Sequence, residues 1–243
     1  MEPEAAARSQ KPQPPPRPLS AAGLRCHRRT DPAHAPLDAL IPLSGLLLVL
    51  FLALHLAGVS LALLAPPAFE AWAATLHHQP WLPPLEIALA AALLLHPLLS
   101  LGRARRNALA GGPLPGSRAS RRSGVIEALV ARAGRWLPWS GALLLLFLVV
   151  HLAQLRWPRP SAGAELAALA AVLASPLSLA LYAAAGLAVG LHLLHGVESA
   201  HRSLGLLEPD NGRAIRLAGR GLALLLGGGF ALLPLALALR GGT

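Results

Sequence analysis

The chain has 243 residues, 54% of them hydrophobic and only 13% charged, yet its net charge is +10. Soluble domains carry about 25% charged residues. Here the charges collect between long apolar runs, which describes a polytopic membrane protein better than a nucleic-acid binder. The one cysteine, Cys26, excludes a disulfide framework, a four-cysteine iron–sulfur cluster and a cysteine zinc site built within the chain.

Residues 1–36 are rich in Pro, Arg and Ala without an apolar run, and read as a disordered basic tail. No hydrophobic segment precedes residue 40, so a signal peptide is not expected. Cys26 and His27 lie in this tail, where a free surface thiol is the simpler reading than a ligand. Residues 37–243 read as one membrane domain. Five apolar spans are expected, at 41–64, 84–102, 137–156, 177–200 and 221–239. Each must be a helix, because backbone groups in lipid need partners within their own segment. The fold class is therefore an all-α membrane protein, a bundle of five transmembrane helices.

Between the first two spans, residues 66–83 read as an outer loop with a short interfacial helix anchored by Trp72 and Trp81. Residues 123–136 place Val125, Ile126, Leu129 and Val130 on one helical face and suggest a helix lying flat on the inner surface. The fifth span, with Gly227, Gly228, Gly229 and Pro234, reads as a packing element. Arginines crowd the tail, residues 103–135 and residues 202–220, whereas the other two loops hold only Arg156 and Arg159. The positive-inside rule then puts the N-terminus in the cytoplasm and the C-terminus outside.

One stretch occurs twice. Residues 44–57 read S-G-L-L-L-V-L-F-L-A-L-H-L-A and residues 140–153 read S-G-A-L-L-L-L-F-L-V-V-H-L-A, identical at ten of fourteen positions. Each copy buries a histidine, His55 or His151, in an apolar helix, where an imidazole is costly. At about 1.5 Å of rise per residue, both lie roughly 21 Å from the inner boundary, with His96 roughly 9 Å and His192 roughly 15 Å deep. Four histidines on four helices sort into an outer pair, His55 with His151, and an inner pair, His96 with His192. We read them as axial ligands of two stacked haems, with His192 preferred to His195, which lies three residues on. Phe51 and Phe147 each precede their histidine by four residues and can cover the same pocket. Small residues (Gly58 beyond His55; Ala88, Ala92 and Ser100 around His96) leave room for a flat macrocycle. Bis-imidazole haem has no open position and serves electron transfer.

The fourth span and its exit, G-L-H-L-L-H-G-V-E-S-A-H-R-S-L-G-L at residues 190–206, resemble the cytochrome b558 type of succinate dehydrogenase membrane subunit. The resemblance extends to Leu85-Glu86-Ile87, His96 and both S-G…H-L-A repeats, covering roughly residues 40–240. It implies a single-chain, five-helix, di-haem anchor of a succinate dehydrogenase or fumarate reductase. His96 and His192 match the proximal haem of that family, and His55 and His151 the distal one. The partners it implies are a flavoprotein carrying the dicarboxylate site and an iron–sulfur protein, both docked on the cytoplasmic face of a bacterial cytoplasmic membrane. Electrons would pass through the haems to a membrane quinone, with no dehydrogenase site in this chain. His201 and Glu198 stand where the family more often has aromatic or amide residues.

Two other readings stand beside this one. The first is another quinone-linked di-haem cytochrome b, of the nitrate reductase or hydrogenase type; the second is a haem-free transporter or membrane scaffold. His77, His78 and Gln79 are candidates for an outer quinone site. Arg103, Arg106, Arg202 and His201 are candidates for pairing with inner propionates, although the positive-inside rule alone accounts for the arginines.

Overall fold

The computed structural model describes residues 35–109 and 125–241. The expected disorder of the tail, with Cys26 and His27, and most of the arginine-rich second loop lie outside the described residues. Within them the regular structure is all helix, with no strand. The order is α1 (Ala35–Leu64), α2 (Pro66–His77), α3 (Leu82–Leu109), α4 (Val125–His151), α5 (Glu165–Leu173), α6 (Pro176–Ser203) and α7 (Gly212–Gly241), with a wide turn of π-helix over Leu152–Arg156 closing α4.

Five of these helices are long and apolar enough to cross a membrane: Ala39–Leu64, Leu82–Arg106, Gly134–Arg156, Pro176–Ser203 and Gly212–Arg240. All five expected spans are present, and they run longer at their arginine-rich ends. The fifth begins at Gly212 instead of residue 221, so Arg213, Arg216 and Arg220 ride on the first turns of α7. Residues from Val125 on do not form a separate flat helix; they run without a break into the third span. Pro42 sits inside α1 and Pro138 inside α4, each just ahead of the repeated Ser-Gly pair.

The two short helices occupy equivalent places. α2 is the expected helix of the first outer loop, while α5 was not expected, although its Glu-Leu-Ala-Ala-Leu-Ala-Ala-Val-Leu run consists of good helix formers. Thus long–short–long occurs twice, as α1–α2–α3 and α4–α5–α6, and α7 follows alone. α2 and α5 touch. Glu70 of α2 accepts hydrogen bonds from the backbone amides of Glu165 (3.2 Å) and Leu166 (2.9 Å), satisfying free donors at the N-terminus of α5. Ser175 caps α6 with Pro176 at its first position.

The tightest packing is α6 on α7, followed by α4 on α6. Gly186 and Gly190 of α6 face Ala231 and Gly227 of α7 so closely that a Cβ on Gly186 would lie 2.3 Å from the Ala231 nitrogen, and one on Gly227 2.5 Å from the Gly190 Cα. Small residues four apart allow such backbone approach between helices in lipid. Leu56, Val189, Leu193, Val197, Ala223 and Leu226 form the core along this seam. Leu54, Leu94, Leu98 and Leu232 point outward, each more than 60% exposed, as lipid-facing positions do. Of the four histidine-bearing helices, only α4 and α6 approach closely along their backbones; α1 and α3 join the bundle through side chains.

Candidate functional site

The four histidines meet in the two pairs expected from their depths. The rings of His55 and His151 are 6.1 Å apart between centroids, with an interplanar angle of 79°. Those of His96 and His192 are 6.2 Å apart at 64°. Each pair joins one repeat to the other: α1 to α4 in the outer pair, α3 to α6 in the inner. It is His192, not His195, that stands against His96.

Each inner histidine is held by the Ser-Gly pair of its own repeat. The Ser44 hydroxyl lies 3.2 Å from His96 Nδ1, and the Ser140 hydroxyl 3.2 Å from His192 Nδ1, each across 52 residues. His96 Nδ1 also lies 3.0 Å from the carbonyl oxygen of Ile41, which can only accept. Nδ1 of His96 therefore carries the proton. Gly45 beside Ser44 admits the His96 ring, since a Cβ there would come 3.0 Å from His96 Cε1, whereas one on Gly141 would make an ordinary contact with His192 Cε1 at 3.6 Å.

The outer pair sits among aromatic rings. Phe51 stacks on His55 at 5.4 Å and Phe147 on His151 at 5.4 Å, as their spacing of four residues requires. Phe230 of α7 stacks on His55 at 5.9 Å, so the fifth span contributes to the site as well as to packing. His151 Nδ1 lies 3.1 Å from the hydroxyl of Tyr182, which donates to Gln154 Oε1 at 3.2 Å; Gln154 Nε2 in turn donates to Ser178 at 3.0 Å. Gln154 reaches inward from the π-helical turn that directly follows His151, the kind of local widening that is frequent at functional sites.

At Gly58 the structure departs from the expectation, and at Glu86 it shows a contact that the sequence did not suggest. The space at Gly58 does not remain open beside His55: Trp72 fills it, with its Cη2 2.3 Å from where a Cβ would stand. Glu86 is held by Arg156 in a two-pronged ion pair at 2.9 and 2.6 Å, tying the start of α3 to the turn after His151. Seventy residues separate them, and no pattern in the sequence announces the contact.

Two of the outer-loop candidates, His77 and Gln79, have polar partners. His77 Nδ1 lies 3.7 Å from Glu165 Oε1, and Gln79 donates to the carbonyl of Thr75. At the other end of the bundle, His201 Nδ1 bonds the Val197 carbonyl at 2.8 Å, and Arg202 pairs with Glu198 at 2.6 Å within the same helix.

Both pairs suit a group that takes one imidazole from each side. A metal–imidazole bond of about 2.0–2.1 Å on either side of one metal ion separates the two ring centres by about 6 Å, the spacing found in both. In three of the four rings Nδ1 already has a polar partner, which leaves Nε2 as the free donor. No protein-family model, curated protein or solved structure matches the chain.

Proposed function

We propose that this chain is the membrane-anchor cytochrome b subunit of a succinate:quinone oxidoreductase, a succinate dehydrogenase or fumarate reductase. It holds two b haems, the outer between His55 and His151 and the inner between His96 and His192. The observation that carries the haem assignment is the meeting of these four side chains in two pairs of matched spacing. The assignment to this class of oxidoreductase rests on residues 190–206 and the ordered motifs that resemble the cytochrome b558 type.

Bound there, haem would supply one-electron transfer between an iron–sulfur partner at the cytoplasmic face and a quinone in the membrane. Phe51, Phe147, Phe230 and Tyr182 exclude water from the outer pair, while Gln154 and Ser178 orient the Tyr182 hydroxyl toward His151. The dicarboxylate chemistry belongs to the flavoprotein partner. The chain lies in a bacterial cytoplasmic membrane with its N-terminus inside.

Purification from its native membrane tests the proposal. Two haems per polypeptide, a low-spin b-type reduced-minus-oxidised spectrum and a co-purifying flavoprotein with covalent flavin are the expected result. A chain without a b-type band overturns it. A b-type band with a partner that carries no flavin assigns the chain instead to another class of quinone-linked cytochrome b.

A further inference from the structure

The repeated stretch does more than duplicate a histidine. Ser44, His55 and His96 have counterparts in Ser140, His151 and His192 at one constant sequence offset. The serine at the start of each repeat contacts the inner histidine of its own half, while the histidine eleven residues on joins the outer pair. One copied segment thus contributes to both sites, and the Ser-Gly dipeptide has a purpose separate from its neighbour histidine.

Each hydroxyl has a carbonyl acceptor on its own helix. Ser44 donates to the carbonyl of Leu40 at 2.7 Å, with that of Ile41 at 3.0 Å also in reach, and Ser140 donates to the carbonyl of Leu137 at 3.0 Å. A serine that has spent its one proton on its own helix has only lone pairs to offer. Facing a ring nitrogen at 3.2 Å, it can accept from Nδ1–H and keep its bond to the helix, whereas donating to a bare Nδ1 would give that bond up. The contact therefore favours one tautomer, with the proton on Nδ1 and the lone pair on Nε2, and turns the ring by the same bond. Gly45 lets the His96 ring come near enough for it.

We propose that Ser44 and Ser140 are positioning residues that set the tautomer, orientation and donor strength of His96 and His192, one serine for each ligand of the inner haem. This rests on the reading of those histidines as axial ligands. The two serines are not equal in weight. His96 has the Ile41 carbonyl as a second acceptor for its Nδ1 proton, whereas Ser140 is the polar partner of His192 Nδ1 among the described residues.

The full-length chain, purified with its haems, carries the test. Ser140→Ala should raise the midpoint potential of the inner haem, because an imidazole that loses its acceptor becomes a weaker donor to ferric iron. Release of that haem to a haem-free globin acceptor should speed up by about 10- to 100-fold, the usual effect of losing such a supporting contact. Ser44→Ala should shift the same haem in the same direction by less. Ser140→Thr, which keeps a hydroxyl able to bond the preceding turn, should restore both readings. The outer haem, identified as the one lost in His151→Ala, should keep its potential throughout. Unchanged potential and release in Ser140→Ala, or a shift confined to the outer haem, overturns the proposal. Failure of the ligand reading itself would show separately, as an unsubstituted chain with fewer than two haems.

Discussion

Gly58 shows how a single position changes meaning once its neighbours are known. It lies one turn beyond His55, yet the indole of Trp72 occupies the place its side chain would take. Gly58→Ala should therefore cost about 1–3 kcal/mol, as overpacking does, and displace Trp72 from α1. Thermal denaturation in detergent, paired with tryptophan emission, would register both; an alanine that leaves Trp72 emission and stability unchanged would show that the indole does not depend on the glycine. Tyr182 carries a separate expectation. Its hydroxyl passes its proton to Gln154 and faces His151 Nδ1. Under the proposed function, Tyr182→Phe should raise the potential of the outer haem alone, measured by redox titration. An effect of equal size on the inner haem would contradict the separation of the two sites.

At the scale of elements, the seam between α6 and α7 sets which glycines matter. Gly186 and Gly227 stand where backbone meets backbone, whereas nothing lies within 4 Å of the Cβ position at Gly196 or Gly228. Gly186→Ala or Gly227→Ala must push the helices apart, because the atoms met are main chain and cannot rotate away. A stability loss of about 1–3 kcal/mol or more is expected for either. Gly196→Ala and Gly228→Ala should be neutral or stabilising by up to about 1 kcal/mol, since a helix-interior glycine carries an entropic cost. Denaturation midpoints of the four variants would rank them. A ranking in which Gly228→Ala is the most damaging would mean the seam is misplaced. Arg240 near the end of α7 donates to the Leu63 carbonyl at the end of α1, which satisfies a free C-terminal acceptor and holds the loosely packed first helix to the α6–α7 pair.

For the whole molecule, the arrangement is a long–short–long unit used twice, with α7 closing one side. The two units meet through four histidines, through Glu86 with Arg156, and through Glu70 at the start of α5. Under the proposed function, the consequence is symmetrical loss. His55→Ala and His151→Ala should remove one and the same haem, while His96→Ala and His192→Ala remove the other. Difference spectra of the four variants would decide the pairing, and a chain in which His55→Ala and His96→Ala lose the same haem would break it. The proposed orientation has its own check. With Cys26 replaced, a cysteine at Ser161, in the turn before α5, should react with an impermeant reagent added outside intact cells. One at Ser203, the exposed last residue of α6, should react only after lysis. The reverse pattern would invert the topology.

The sequence alone was enough to establish an all-helical chain with five membrane-length spans, because twenty or so consecutive apolar residues in lipid leave the backbone little choice. It also sorted the histidines by depth, since helix rise converts position into distance, and it placed Phe51 and Phe147 on their histidines from spacing alone. All of these are local consequences of one helix's geometry. What needed the tertiary structure was the other contacts between helices: Ser44 against His96, Tyr182 and Phe230 at the outer pair, Trp72 on Gly58, and the bond from Arg156 to Glu86. Such partners lie from 14 to 175 residues apart, and apolar spans built from leucine and alanine carry no period that says which faces meet. The backbone approach of small residues on α6 and α7, together with the turn and cap contacts at the outer ends, decides the rotation of each helix, and rotation decides which side chains share a site.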